Sequence, residues 1–452
     1  MRLTKKLLRT SWYTGRALHN MRAGTEDEGV PIGLIEAAWG GTVIEAWIPI
    51  EDQMACTGRL CEDYFDRASN TVGNKCDRTA NSPDSQPAGL WNGMVNPLKQ
   101  MAIFSALWYQ GENNGANPGD FNRQEGYACL LPRMVESWRR EFSTAGLTDE
   151  SFPFGVISMH AWCGEEESNC EPGYPNGYPG YDNPLHTATQ YTAQMRWYGE
   201  QAGQPTVPNP SLPGVYLTQT YDIGDPQWCY ATTPYGNCSS VGLAQDDPKC
   251  FCPQPPPLMG DIHPRNKLEV GRRVAMSLLA LMSDATRTKS IGAVFESCTV
   301  DSTGEINVTF AQSALTHLSS DGAGGEDSLA VKHPDGFEVQ QANGSWLPVA
   351  IVAHAGNSLQ LAPPPQHQGI LLGLRYAWRD HACCPRFYSA EPEWSNWALK
   401  DRAHPVMNGA CPPKNCSVYT QGSDLPATPF TVAMGPRRGD GAQRCAEFSS
   451  SR

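Results

Sequence analysis

Residues 101–142 read MAIFSALWYQGENNGANPGDFNRQEGYACLLPRMVESWRREF. The stretch holds two hydrophobic periods separated by a break rich in glycine and asparagine. Met101 to Tyr109 is a continuous apolar run of strand length, the pattern of a strand buried on both faces. From Gln124 to Phe142 the apolar residues recur at helical spacing, with Leu130, Met134, Trp138 and Phe142 on one face. A buried strand followed by an amphipathic helix predicts a parallel sheet covered by helices.

The same alternation extends in both directions. Pro31–Trp39 predicts an earlier buried strand ending in the turn Gly40-Gly41, and Phe152–Trp162 and Val215–Tyr221 predict two later ones. Helices are predicted over residues 3–21, Thr187–Gln201 and Pro264–Met282. The last carries proline in its first turn and sets Val270, Val274, Leu278 and Met282 on one face. Residues 52–90, 163–184 and 223–260 read as loops. After about Thr286 short segments rich in Val, Ile, Thr and aromatics alternate with Gly/Asn/Asp turns, which predicts a small all-β region over 291–311, 328–352 and 358–378. Residues 408–452 are rich in Pro, Gly and Ser and read as irregular. The expected division is an α/β domain over 1–285, a β-rich domain over 286–400 and a tail over 401–452.

Composition narrows the functional classes. A chain of 452 residues with 40% hydrophobic content supplies a real core. A formal net charge of −13 argues against nucleic acid as the main partner. Of the 16 cysteines, many sit in loops: Cys56, Cys61, Cys76, Cys163, Cys170, Cys229, Cys238, Cys250 and Cys252. They read as disulfides formed in an oxidising compartment. Zinc is the rival reading, but Cys229 to Cys252 holds no paired Cys-x-x-Cys knuckles, and no metal or cofactor is expected. Asn237, Asn307, Asn343 and Asn415 each begin an Asn-x-Ser/Thr sequon, which also fits secretion. Met1 to Asn20 nevertheless lacks the apolar core of a signal peptide, and no segment is apolar enough to span a bilayer. The expectation is a secreted or lysosomal protein whose leader is missing from this sequence.

In parallel α/β sheets functional groups collect beyond the carboxyl ends of the strands. Four segments fall there or in the loop that follows: Trp39-Gly40-Gly41-Thr42, Trp108 to Asn113, Tyr221-Asp222 and Asp261-Ile262-His263-Pro264. His263 has the chemistry of a general base. Asp261 lies close enough to orient it, or alternatively to cap the helix. Gly40 and Gly41 let a backbone N–H approach a developing oxyanion, and the side-chain amides of Gln110 and Asn113 are further donors. No serine sits in a convincing nucleophile turn; Ser11, Ser105 and Ser158 come nearest to plausible structure, and none of the three is glycine-flanked.

Several blocks follow one another in order: Gly33-Leu34-Ile35, Trp39-Gly40-Gly41-Thr42, Ile44-Glu45-Ala46-Trp47, Trp91-Asn92-Gly93-Met94 with Asn96-Pro97-Leu98, Trp108 to Asn113, Asp261 to Lys267, and Arg375-Tyr376-Ala377-Trp378. In these the chain resembles the sialate O-acetylesterases, a family of SGNH-type esterases. The resemblance implies a three-layer α/β hydrolase and cleavage of acetyl esters through a serine acyl-enzyme. It implies an O-acetylated sialic acid or related acetylated glycan as substrate. His263 would be the base, with Gly40 or Gly41 and Gln110 or Asn113 serving the oxyanion.

By the same resemblance the acid would be Asp261, with Asp222 and Asp225 as alternatives, because the wider pattern sets the aspartate three residues before the histidine and here it stands two before. Arg265 or Arg272 offers a guanidinium for a sugar carboxylate, against the plainer reading of a surface or helix-packing arginine. The family's Gly-Gln-Ser-Asn-Met nucleophile turn has no counterpart. The expectation is therefore an SGNH-like sheet without its first strand, the predicted strands being its second to fifth, with no turnover and poor stability. Other readings are an acetyl esterase for plant or microbial polysaccharides, a catalytically inactive carbohydrate-binding protein, and a glycosidase using Glu36, Glu45 or Glu112.

Overall fold

The computed structural model describes residues 4–21, 29–57, 63–66, 71–74, 87–111, 121–159, 212–223, 266–282, 292–312, 316–318, 324–326, 328–332, 334, 336–364, 370–378, 416–439 and 441–445. The chain divides into two compact units. The first comprises Met1–Met159, Tyr191–Thr220 and Asn266–Ser283; the second comprises His160–Gln190, Tyr221–Arg265 and Asp284–Arg452.

In the first unit the elements run α1 (Thr4–Met21), α2 (Ile50–Thr57), β1 (Asp63–Asp66), β2 (Thr71–Asn74), β3 (Ala106–Trp108), α3 (Phe121–Ser143), β4 (Phe154–Ile157), β5 (Val215–Thr218) and α4 (Lys267–Met282). Strands β3, β4 and β5 form a parallel sheet in that order, with Trp108 opposite Val156 and Ile157 opposite Thr218. Every residue of β4 and β5 is buried, as strands covered on both faces require. The helix at the centre of the quoted stretch forms as its spacing predicts: Leu130, Met134, Trp138 and Phe142 of α3 are all buried. Trp138 makes edge contacts with Trp108 and Phe154, and its indole N–H donates to the Trp47 carbonyl at 3.0 Å. This aromatic cluster fixes α3 on the sheet.

Helix α1 packs against α4, and Gly271 is what permits the approach. A Cβ there would stand 2.6 Å from the backbone of Tyr13 and Thr14. Val270, Val274 and Leu278 face the core as expected, whereas Met282 is exposed. The helix begins later than its proline suggests. Asn266 caps it, its side-chain oxygen accepting the Glu269 N–H at 3.2 Å. The capping reading of Asp261 therefore yields to Asn266.

Two further expectations are corrected here. Residues 31–39 form no strand, and Val30, Leu34, Ile35 and Trp39 are nearly half exposed. An apolar run becomes a strand only where a ladder partner lies beside it, and β3 pairs with β4 alone among the described residues. Leu34 lies instead over Gly15 of α1. The parallel sheet described is thus three-stranded, not four-stranded. Residues 52–90 are not all loop. Helix α2 starts after Pro49 with Glu51 and Asp52 in its first turn, where acidic groups favour the helix dipole. A disulfide from Cys56 to Cys129 and a two-point pairing of Arg140 with Asp52, at 2.8 and 3.1 Å, hold it to α3. Strands β1 and β2 form an antiparallel pair. The helix predicted over Thr187–Gln201 and the loop over 163–184 lie outside the described residues, as does the loop over 224–260.

The second unit is antiparallel. Its strands are β6 (Phe295–Val300), β7 (Ile306–Phe310), β8 (Thr316–Leu318), β9 (Gly324–Glu326), β10 (Leu329–Val331), β11 (Phe337–Gln340), β12 (Trp346–Val349), β13 (Ile351–Ala355), β14 (Ser358–Leu361), β15 (Gly373–Tyr376), β16 (Val418–Thr420), β17 (Phe430–Ala433) and β18 (Gln443–Arg444). One sheet runs β12-β11-β15-β17 and another β13-β14-β7-β6-β18, with the pairs β10-β16 and β8-β9 beside them. In β7, Ile306, Val308 and Phe310 are buried while Asn307 points outward, the alternation of a half-covered sheet.

The irregular reading of 408–452 fails over 416–445, where β16, β17 and β18 pair with strands up to 143 positions earlier: Gln443 lies opposite Val300. Phe430 stacks on Phe295 at 4.1 Å, and a disulfide joins Cys298 to Cys445. Local composition could not reveal an anchor that lies so far away in sequence. Cys416 is disulfide-bonded as well.

Candidate active site

The site is built where β3 ends. Gly41 has φ +76°, a left-handed conformation that costs glycine nothing and a β-carbon about 1 kcal/mol or more. The turn is closed from both sides of Thr42. Its hydroxyl donates to the Trp39 carbonyl at 3.0 Å and accepts the Trp47 indole N–H at 2.9 Å. Gln110 stands two residues past β3, and its Nε2 donates to the Thr42 carbonyl at 2.9 Å. Two of the segments singled out from sequence, Gly40-Gly41-Thr42 and Gln110, are thus brought into direct contact.

Tyr127 of α3 holds that contact from behind, and sequence reasoning did not select it. Its hydroxyl accepts the Trp108 indole N–H at 3.1 Å and donates toward Gln110, with Oε1 at 3.2 Å and the carbonyl at 3.3 Å. The signal was present: Tyr127 precedes Leu130 by three positions and shares its buried face. Lys267, at the start of α4, was also missed. Its Nζ lies 3.2 Å from the Tyr109 hydroxyl and 4.6 Å from the centre of that ring.

The remaining candidates divide. His263, Asp261, Asn113, Asp225, Arg265 and Glu112 lie outside the described residues. Asp222 is buried in the second unit, where its Oδ2 accepts the Tyr419 hydroxyl at 3.1 Å. The neighbouring Tyr221 hydroxyl donates to the Ala427 carbonyl at 2.6 Å. Burial pushes the phenol of Tyr376, in the same unit, above its ordinary range, and the charge of Asp222 adds to the effect.

Ser158 is buried and accepts the Thr220 N–H at 2.8 Å, and Ser105 donates toward the Ala106 carbonyl at 3.4 Å. Arg272 is engaged within its own helix, 2.6 Å from Glu269. Glu269 also takes the Nε–H of the fully buried Arg273 at 2.9 Å, while Arg273 donates to the Gln219 carbonyl past β5 at 2.9 Å. Burial alone would raise the Glu269 carboxyl, but hydrogen bonds and charge from Arg272 and Arg273 outweigh it and hold it at about 2. Among the described residues no three His, Cys, Asp or Glu converge as a metal site, and no helix is long and apolar enough to cross a membrane.

No protein-family model matches the chain. It is 24% identical to the sialate O-acetylesterase of Mus musculus over 446 residues, covering 94% of this chain and 63% of that protein. It is 26% identical to the sialate O-acetylesterase of Homo sapiens over 441 residues, covering 96% of this chain and 62% of that protein. The chain therefore spans less than two thirds of the length of these relatives. Its fold is similar to the crystal structure of a carbohydrate acetylesterase from Xanthomonas citri, with a TM-score of 0.54 at 18% identity over 93% of this chain and 64% of that one. Along nearly its whole length, the chain is similar to the sialate O-acetylesterases.

Proposed function

We propose that the chain belongs to a carbohydrate esterase that removes O-acetyl groups from sialic acids by a serine-hydrolase mechanism. The observation that carries this reading is the 2.9 Å bond between Gln110 and the Gly40-Gly41-Thr42 turn. It brings a side-chain amide and a glycine turn together past the carboxyl end of a parallel strand, the arrangement that oxyanion stabilisation needs. In the proposed mechanism the Gly41 (or Gly40) N–H and the Gln110 or Asn113 amide receive the oxyanion of the tetrahedral intermediate. His263 takes the proton of the attacking hydroxyl and returns it to the leaving sugar oxygen. Asp261 orients the imidazole. The nucleophile is proposed to come from polypeptide outside these 452 residues, because none of Ser11, Ser105 and Ser158 lies in a glycine-flanked turn. The disulfides support a secreted or lysosomal setting.

The test begins with the 5′ sequence of the transcript and expression of its whole reading frame. That protein is expected to release acetate from mono-O-acetylated sialic acid faster than from acetylated xylan. His263→Ala should lower kcat by about 10⁴-fold or more while the melting temperature holds. Preference for xylan would move the substrate to other polysaccharides. Undiminished turnover by the variant would sink the mechanism.

A further inference from the structure

The sequons were read from sequence but are not used by the esterase chemistry, and the structure sets two of them in different surroundings. Asn307 lies within β7, opposite Thr299 on one side and Gln360 on the other. Asn343 lies at the tip of the hairpin that joins β11 to β12, where Ala342, Asn343, Gly344 and Ser345 are all exposed. The tip is ordered by its own bonds. The Gln341 N–H donates to the Ser345 carbonyl at 2.8 Å, and the Gly344 N–H donates to the Gln341 carbonyl at 2.9 Å. The Asn343 carboxamide is held through its oxygen alone: Oδ1 accepts the Ser345 N–H at 3.0 Å and the Ser345 hydroxyl at 2.7 Å. Nδ2, the atom that carries a glycan, takes no bond among the described residues.

We propose that Asn343 is a site of N-linked glycosylation and that its glycan projects into solvent from this tip. Two independent features converge. The hairpin offers an exposed sequon whose serine hydroxyl already meets the acceptor carboxamide. The disulfides Cys56–Cys129 and Cys298–Cys445 belong to the oxidising secretory compartment in which such transfer takes place. The co-reactant is a lipid-pyrophosphate-linked oligosaccharide. The Asn343 nitrogen forms a bond to C1 of its first sugar. The C1–O bond to pyrophosphate breaks, the lipid pyrophosphate leaves with the electron pair, and the displaced amide proton goes to a base on the transferase. At Asn307, by contrast, the acceptor lies within a strand paired on both sides rather than at a turn.

The experiment expresses the chain behind a cleavable secretory leader in eukaryotic cells. The peptide bearing Asn343 is then analysed by mass spectrometry before and after enzymatic glycan release. Protein retained in the endoplasmic reticulum is analysed alongside any that is secreted. The expected result is a hexose- and N-acetylhexosamine-bearing Asn343 that becomes aspartate on release. Asn343→Gln and Ser345→Ala should each lose one glycan's mass shift. Ser345→Thr, which keeps the hydroxyl, should retain it and exclude misfolding as the cause. An unmodified Asn343 peptide in chain that has entered the secretory pathway overturns the proposal, as does an unchanged mass shift in Asn343→Gln. Neither outcome depends on the esterase reading, because no turnover is measured.

Discussion

Tyr127 is the residue through which the helix layer reaches the strand end. One hydroxyl serves the Trp108 indole and both oxygens of Gln110, so removing it disturbs three polar groups at once. Tyr127→Phe is expected to cost about 1–2 kcal/mol of stability, read by denaturant unfolding. In the active whole reading frame it should lower kcat about tenfold with little change in KM, since Gln110 is asked to act in the transition state rather than in binding. A raised KM with kcat unchanged would mean that Gln110 serves binding. At this scale the sequence was most legible where a residue type carried its own reason. The Gly40-Gly41 turn and Gln110 were selected for the donors they offer, and they touch. Tyr127 escaped because nothing about a tyrosine in an amphipathic helix marks its hydroxyl as shared.

Helices proved easier to read than strands, and α4 shows why. Its spacing alone identified Val270, Val274 and Leu278 as core, because a helix closes its backbone bonds within itself. A strand borrows its partner from elsewhere, so the run at 31–39 looked like β4 yet makes no ladder. The three strands after residue 416 were hidden for the same reason: their partners lie in distant sequence.

The charges on α4 make a prediction that belongs to this element. Glu269 sits at about 2, below its usual 4.5. Its stabilising contribution is therefore complete above about pH 4.5 and is lost as pH falls toward 2. After allowance for partial solvent screening, that loss is on the order of 2 kcal/mol. Glu269→Gln should destabilise the protein by about 3 kcal/mol at pH 7, because the buried charge of Arg273 would lose the carboxylate that offsets it. Its unfolding free energy should also fall less steeply than that of the unaltered protein between pH 4.5 and 2. Parallel acid profiles would show that Glu269 is not the group responsible.

Considered whole, the molecule is two units threaded by one chain that passes between them repeatedly, and each unit carries its own covalent tie. The Cys298–Cys445 bond closes a loop of 147 residues around the β-rich unit. Replacing both cysteines by serine is expected to cost that unit about 3–5 kcal/mol. Limited proteolysis should then cut first within 292–445 while 121–159 stays protected. Early cuts in α3 would show that the two units lose structure together.

The pairing of α1 with α4 sets a timetable for synthesis. About 250 residues separate the two helices, and at roughly 5–20 residues per second the ribosome needs on the order of 10–50 s to supply the second after the first. Through that interval the face of α1 that will meet Gly271 has no α4 to cover it. The first unit therefore reaches its final packing only after nearly two thirds of these residues have been made. A growing chain that stalls before Lys267 is a client for chaperones, whatever the stability of the finished fold.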